Sequence, residues 1–192
     1  MSRSFSLNDA HSLDDLQVFL ASAARIEEGS VRLIAGSGVI AAYAAVFYPV
    51  GLLDTNPTVL GLRTAMLGEP VDFDVVVPVR SLLQRIERAQ SEGAGSPSVT
   101  LPLEVATVTW AGISPPRGGW HPIDPVDPSR LDAIARGGIE EVAAAIPDGT
   151  GEQIVRRVRT EIWGRPVAGA EHIPAGAAFA AFALGFLGDD PV

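Results

Sequence analysis

The sequence predicts an α+β fold, a single domain over residues 1–192 in which an antiparallel meander of about five strands is packed by about five helices. In the first half, runs rich in Val, Ile and Phe alternate with short turns that contain Gly, Pro and Asn. In the second half, apolar residues recur at helical spacing. A chain of 192 residues suits one domain, because it can bury about 70% of its unfolded surface.

A helix and a hairpin are predicted at the start of the chain. Ser12, followed three residues later by an acidic residue, indicates a helix N-terminus, and apolar residues at helical spacing follow it. Residues 31–35 and 39–48 are predicted to be strands joined by a glycine turn. An alternative stays open for 39–48, because the pattern G-x-G-x-x-A over 36–41 also begins the helix of a dinucleotide-binding unit.

Further strands and a helix complete the first half. Residues 58–67 and 71–77 are predicted to continue the meander, since both are rich in apolar residues and bounded by turns. Pro78 suits the first turn of a helix that has one apolar and one charged face. Residues 91–98, rich in Ser and Gly, are expected to form a mobile loop, and 99–110 to form the fifth strand.

Helices dominate the rest of the chain. Residues 130–146 carry a helical apolar stripe, and a capping box at 150–153 begins a second helix that ends at Gly164. The last helix, 175–187, is apolar on nearly every side, so it belongs in a core or in a subunit interface. We therefore expect a homodimer, held by this helix or by a sheet edge.

Composition excludes several chemistries. All fourteen basic residues are Arg, so there is no Lys for a Schiff base or a Walker motif, and with no Cys there is no thiol nucleophile or thiolate zinc site. The patterns H-E-x-x-H and the EF-hand loop are absent as well. We therefore predict no cofactor and no metal. A net charge of −9 argues against nucleic acids and anionic membranes as partners.

Two stretches bear on localisation. Residues 33–53 carry no charge over 21 positions, which is about the length that spans a bilayer, but Gly and Pro interrupt them and their composition favours strands. The first eleven residues lack the apolar segment of a secretory signal. We therefore expect a cytoplasmic protein without a membrane span.

The stretch from Trp110 to Trp120 is the main candidate for a binding site, because its prolines and aromatic rings make it too stiff for a spacer. Within it, Arg117 lies between two prolines and two glycines. A guanidinium binds carboxylate or phosphate, glycines let a ligand approach the backbone, and an indole can stack. The candidate ligand-binding residues are Trp110, Ser114, Arg117, Gly118, Gly119, Trp120 and His121.

The alternative for this stretch is a structural role, and the usual burial of Trp favours it. The Trp side chains would then anchor the loop, and Arg117 would bond to backbone carbonyls.

A second candidate is a possible anion patch formed by Arg156, Arg157 and Arg159, near Arg165 and Trp163. Its alternative is an ordinary solvated helix end, where cations favour the helix dipole.

Histidines suggest two further sites. His121, Asp124 and Asp127 recur every third residue, but at about 9 Å between successive members of an extended segment they cannot share a metal ion. We therefore assign Asp127 to the N-cap of the following helix. His172, beside Glu171, can form an acid-base pair with His121 or Asp124 only if folding brings them together.

Two runs support a resemblance, namely Pro-Thr-Val-Leu-Gly-Leu-Arg ending at Arg63 and Ser-Pro-Pro-Arg-Gly-Gly-Trp ending at Trp120. Together with the absence of Lys, they make the chain similar to uncharacterised proteins of high-GC actinobacteria. The resemblance implies a bacterial, cytoplasmic setting and no activity.

Two functional hypotheses follow from the sequence. Since no catalytic signature is present, the first is a non-enzymatic cytoplasmic binding or interaction protein, expected to be homodimeric. The alternative is a small-molecule enzyme or sensor, which acts on an anionic ligand held by Arg117 and uses His121 or His172 as acid-base.

Overall fold

In a computed structural model, the protein is described over residues 3–27, 29–49, 54–92, 97–105, 108–112, 115–116, 118–122, 125–146 and 150–188. The chain forms two compact units. The first comprises Met1–Ala45 and Gly61–Ile113, and the second comprises Val46–Leu60 and Ser114–Val192. Helices and antiparallel strands confirm the predicted α+β class. Whether these two units count as one domain is not tested, so the single domain stays a prediction.

The first unit holds the larger sheet. Its elements in chain order are β1 (Ser4–Ser6), α1 (Ala10–Ile26), β2 (Ser30–Gly36), β3 (Val39–Phe47), β4 (Val59–Met66), β5 (Phe73–Pro78), α2 (Val79–Ser91), β6 (Ser98–Thr100) and a 3-10 turn (Thr109–Gly112). The last two residues of β3 and the first two of β4 belong to the second unit.

The hairpin of β2 and β3 confirms the strand prediction for 39–48, and the dinucleotide-binding alternative is wrong. Ser37 and Gly38 form the turn with φ angles of 53° and 80°. Positive φ at both positions is the geometry of the two-residue turns whose twist matches that of the flanking strands. The glycines of the pattern therefore serve a turn, and no helix begins there.

The sheet has the strand order β4-β3-β2-β5, four antiparallel strands where the sequence suggested about five. Its core face is a ladder of buried apolar side chains, in which Leu33 pairs with Ala42 on one side and with Val75 on the other. Apolar residues from α1 and α2 are buried as well, among them Leu16, Phe19, Leu82 and Ile86. The buried ladder fixes the register, since a shift by one residue would turn it to the opposite face.

The meander is correct only from β2 to β4, because β5 pairs with β2 at the opposite edge. Beyond β4 the outer edge is occupied by residues near the N-terminus. Asn8 N donates to Met66 O, and Gly68 N donates to Ser6 O. A Cβ on Gly68 would lie 2.9 Å from the Leu7 carbonyl oxygen, so only glycine allows this approach. After Gly68 the chain continues to β5, which pairs with the other edge of β2.

The predicted fifth strand, 99–110, is mostly wrong. Among the described residues of this stretch, strand is confined to Ser98–Thr100, which pairs with β1 in a separate two-stranded sheet. Pro102 follows closely and has no N–H to donate to a ladder. At the other end of the predicted strand, Trp110 lies in the 3-10 turn.

The start of α1 also differs from the prediction. Its N-cap is Asp9, whose side chain accepts hydrogen bonds from Ser12 N at 2.7 Å and Ser12 Oγ at 2.9 Å. These bonds lower the pKa of Asp9 below its ordinary value. Ser12 therefore lies in the first turn and donates to the cap, since an Asp side chain satisfies free helical N–H groups as well as Ser does.

Arg32 clamps a loop onto the other face of the sheet. Its Nε and Nη2 donate to the two carboxylate oxygens of Asp74 at 2.8 and 2.7 Å, and its Nη1 donates to the Ala111 carbonyl at 2.8 Å. The hydrogen bond to Asp74 raises the pKa of Arg32 above its ordinary value. Val105 N also donates to Val76 O. The segment that leads to Trp110 is thus held on the sheet.

We expect Arg32→Ala to lower the free energy of unfolding by about 2 kcal/mol, because three hydrogen bonds of a side chain that is only 14% exposed are lost. Urea unfolding followed by circular dichroism measures this. The control is Arg3→Ala, which breaks the solvent-exposed pair with Glu104 and should cost at most about 1 kcal/mol. Equal losses in both variants would contradict the role assigned to Arg32.

The second unit is mainly helical. Its elements are α3 (Pro128–Ala145), α4 (Glu152–Trp163), β7 (Pro166–Val167), β8 (Ala170–Pro174) and α5 (Ala175–Ala183). The three predicted helices are confirmed, with Gly151 and not Thr150 at the N-cap of α4. The hairpin of β7 and β8 was not predicted. Asp127 is the N-cap of α3, as expected, and accepts a hydrogen bond from Ser129 N at 2.8 Å. The bond from the Ser129 hydroxyl is the main cause that lowers the pKa of Asp127.

The core of the second unit is built around Trp163. Its ring stacks on Phe179 of α5 with 4.5 Å between centroids, and Phe47, Ile162 and Ala175 are buried with it. Helix α5 packs against both α3 and α4. The apolar last helix thus contributes to the core of this unit, and its expected role in a subunit interface stays a prediction.

Over the part of the chain that the structure describes, no helix is both long and apolar enough to cross a membrane. Most of the described residues in the uncharged stretch 33–53 lie in β2 and β3.

Candidate functional site

A cleft of about 450 Å³ opens in the second unit beside α3, the end of α4 and β7. Its size falls within the range of small-molecule sites. Twelve residues line it, most of them apolar. They are Arg130, Ala133, Ile134, Gly138, Glu141, Ile162, Trp163, Arg165, Pro166, Val167, Ala168 and Ala175.

The apolar floor of the cleft is held rigid by Trp163. A Cβ added to Gly138 would lie 2.3 Å from Trp163 Cζ3 and 2.5 Å from Cη2, so α3 lies directly against the indole. Phe179 stacks on the same ring. Because these contacts hold the indole in place, it supplies a fixed apolar surface, completed by the buried residues Ile162 and Val167.

Two arginines at the rim have different surroundings. Arg165 Nη1 donates to both carboxylate oxygens of Glu141, at 2.7 and 2.8 Å, and its Nη2 lies 3.8 Å from Glu161 Oε1. For the Arg130 guanidinium, the described ranges contain neither an ion-pair partner nor a hydrogen-bond acceptor. Arg130 is therefore the cation at the rim that is available to a ligand.

The carboxylate of Glu171, whose pKa the charge of Arg130 affects, is bonded to the backbone. Its Oε1 accepts a hydrogen bond from Gly169 N at 2.8 Å in the turn between β7 and β8. That bond is the main cause that lowers the pKa of Glu171, and the charges of His172 and Arg130 contribute less. Glu171 thus stays ionised at neutral pH and orders the turn beside the cleft.

The chemistry of the lining is suited to binding. The described residues around the cleft include no Ser, Thr, His or Tyr, and the carboxylate of Glu141 is bonded to Arg165. What they offer is an apolar floor with a guanidinium at its edge, two features that suit apolar burial and the binding of an anionic group.

The sequence-predicted loop site is divided between the units, whose border falls at 113/114. Trp110 belongs to the first unit and is only 8% exposed, as the structural alternative expects. Trp120 is 70% exposed and donates from Nε1 to the Pro116 carbonyl at 3.1 Å. Gly118, Gly119 and His121 are exposed. Ser114 and Arg117 lie outside the described residues, so the loop site stays a prediction.

The predicted anion patch at Arg156, Arg157 and Arg159 stays a prediction. Arg156 pairs with Glu152 one turn earlier in α4, Arg157 is exposed and Arg159 is half-buried. Their neighbour Arg165 lines the cleft instead. Arg130 was missed, because no spacing rule connects it to Arg165.

Among the described residues, no contact supports the predicted acid-base pair. His172 is exposed on β8, His121 is exposed in the loop, and Asp124 lies outside the described residues. Within the described ranges, His, Asp and Glu form no group of three that could hold a metal ion.

Comparison with protein families divides the chain in the same region as its geometry does. Residues 1–112, more than half of the chain, match the family model described as Domain of unknown function (DUF8010). The chain belongs to this family. Residues 115–192 match a second model, Domain of unknown function (DUF8185), and all residues that line the cleft lie within this DUF8185 region. No curated protein and no solved structure matches the chain.

Substitutions at two adjacent glycines of α3, in the DUF8185 region, test the contact between this helix and Trp163. We expect Gly138→Ala to lower the free energy of unfolding by about 1–3 kcal/mol, since the new methyl group overlaps a ring that cannot easily move. Gly137→Ala is the control. Apart from its chain neighbours and its own helix backbone, no described atom lies within 4 Å of its added Cβ, so it should stabilise the helix by about 0.5–1 kcal/mol. Thermal unfolding of both variants measures the difference, and stabilisation by Gly138→Ala would contradict the contact.

Proposed function

We propose that this protein is a non-enzymatic, cytoplasmic binding protein whose cleft in the second unit holds a small organic anion. The observation that carries the proposal is the guanidinium of Arg130, which lies at the edge of an apolar cleft without a bonded partner among the described residues. The homodimer expected from the sequence stays a prediction.

The two parts of the cleft supply different contributions to binding. Apolar surface that a ligand buries on the floor contributes about 25 cal/mol per Å² before the cost of association. The guanidinium fixes the orientation, because its planar fork matches a carboxylate. A ligand with an apolar body and one anionic end satisfies both parts.

The net charge of the whole protein opposes an anionic ligand, whereas the local charge of Arg130 attracts it. A net charge of −9 repels anions at long range, and this repulsion weakens as salt is added. Attraction to Arg130 acts at short range inside the cleft. We therefore expect the affinity for an organic anion to depend mainly on this contact and on apolar burial.

Titration of the purified protein with octanoate, followed by isothermal titration calorimetry, tests the proposal. We expect Arg130→Ala to weaken octanoate binding about tenfold, because one charge-assisted contact is lost. Arg157→Ala is the matched control. It removes an exposed arginine of α4 that does not line the cleft, so the affinity should be unchanged.

Two results would overturn the proposal, namely no octanoate binding by the wild-type protein and equal binding by wild type and Arg130→Ala. Weakening by Arg157→Ala alone would point to the Arg156–Arg159 patch instead of the cleft.

A further inference from the structure

We propose that Glu141 makes the cleft selective for carboxylates over phosphate monoesters. The inference rests on the proposed function and specifies the chemical class of the ligand. It depends on the charges at the rim and on how the guanidinium of Arg165 is already occupied.

The charged residues of the lining are Arg130, Arg165 and Glu141, which leave one net positive charge. A carboxylate brings one negative charge and balances it. A phosphate monoester carries a charge of about −1.5 to −2 at pH 7. Its excess negative charge would face the carboxylate of Glu141 within the same cleft.

Arg165 cannot readily compensate for that excess. One of its nitrogens already donates to both oxygens of Glu141, and a second lies near Glu161. A phosphate would have to displace Glu141 to gain this guanidinium. Arg130 alone offers a planar fork, which a carboxylate with two oxygens uses fully.

Glu141 is accessible enough for its charge to be changed without disturbing the core. Its side chain is 49% exposed, and that of Arg165 is 47% exposed. Glu141→Gln keeps nearly the same shape and one oxygen that accepts from Arg165, but it removes the negative charge. The substitution therefore tests charge separately from packing.

The experiment compares octanoate with octyl phosphate by calorimetry at neutral pH. We expect the wild-type protein to bind octanoate more tightly. In Glu141→Gln, the affinity for octyl phosphate relative to octanoate should rise about fivefold, the effect of one partly exposed charge. Glu161→Gln is the matched control, because Glu161 is near Arg165 but outside the lining, and its ratio should change less than about twofold.

The outcomes separate this inference from the proposed function. If octanoate binds and Arg130→Ala weakens it, but the wild type binds octyl phosphate equally well or Glu141→Gln leaves the ratio unchanged, the selectivity inference alone is overturned. If the wild type does not bind octanoate, the proposed function fails, and this inference fails with it.

Discussion

The close approach of α3 to Trp163 is the contact on which the second unit depends. The indole lies against the backbone of the helix because residue 138 has no side chain, and Phe179 stacks on the same ring. This contact brings Arg130 and Glu141, both on α3, to the same cleft as Arg165, which follows α4. A core contact thus determines which charges meet at the surface.

The two units use arginine in different ways. In the first, Arg32 is largely buried and its bonds to Asp74 and Ala111 hold a loop on the sheet. In the second, Arg130 and Arg165 are exposed at the rim of the cleft, where Arg165 is bonded to Glu141 and Arg130 has no bonded partner among the described residues. Without Lys, one type of side chain serves both purposes, and burial distinguishes them.

Local patterns in the sequence were sufficient to predict the hairpin at Ser37 and Gly38 and the N-cap at Asp127, because these depend on a few adjacent residues. They did not distinguish Asp9 from Ser12 as the N-cap of α1, since both side chains can accept a bond from a free helical N–H. The pairing of β5 with β2 could not be predicted, because local patterns do not determine which edge of a sheet a strand joins. The same holds for the cleft. Arg130 and Arg165 come to the same cleft through the packing around Trp163, which no local pattern reveals, whereas the Trp-rich loop is visible in the sequence itself.

The core contact of Phe47 has a consequence for how the chain can be divided. Phe47 lies in the region that matches DUF8010, yet its side chain is buried with Trp163 and Ala175 of the DUF8185 region. A fragment that begins at residue 115 would expose the apolar surface that Phe47 covers. We expect such a helical fragment to be incompletely folded and prone to aggregation. The core of the second unit therefore contains residues from both sequence families. A shorter protein made only of residues 115–192 would lack the part of this core that Phe47 supplies.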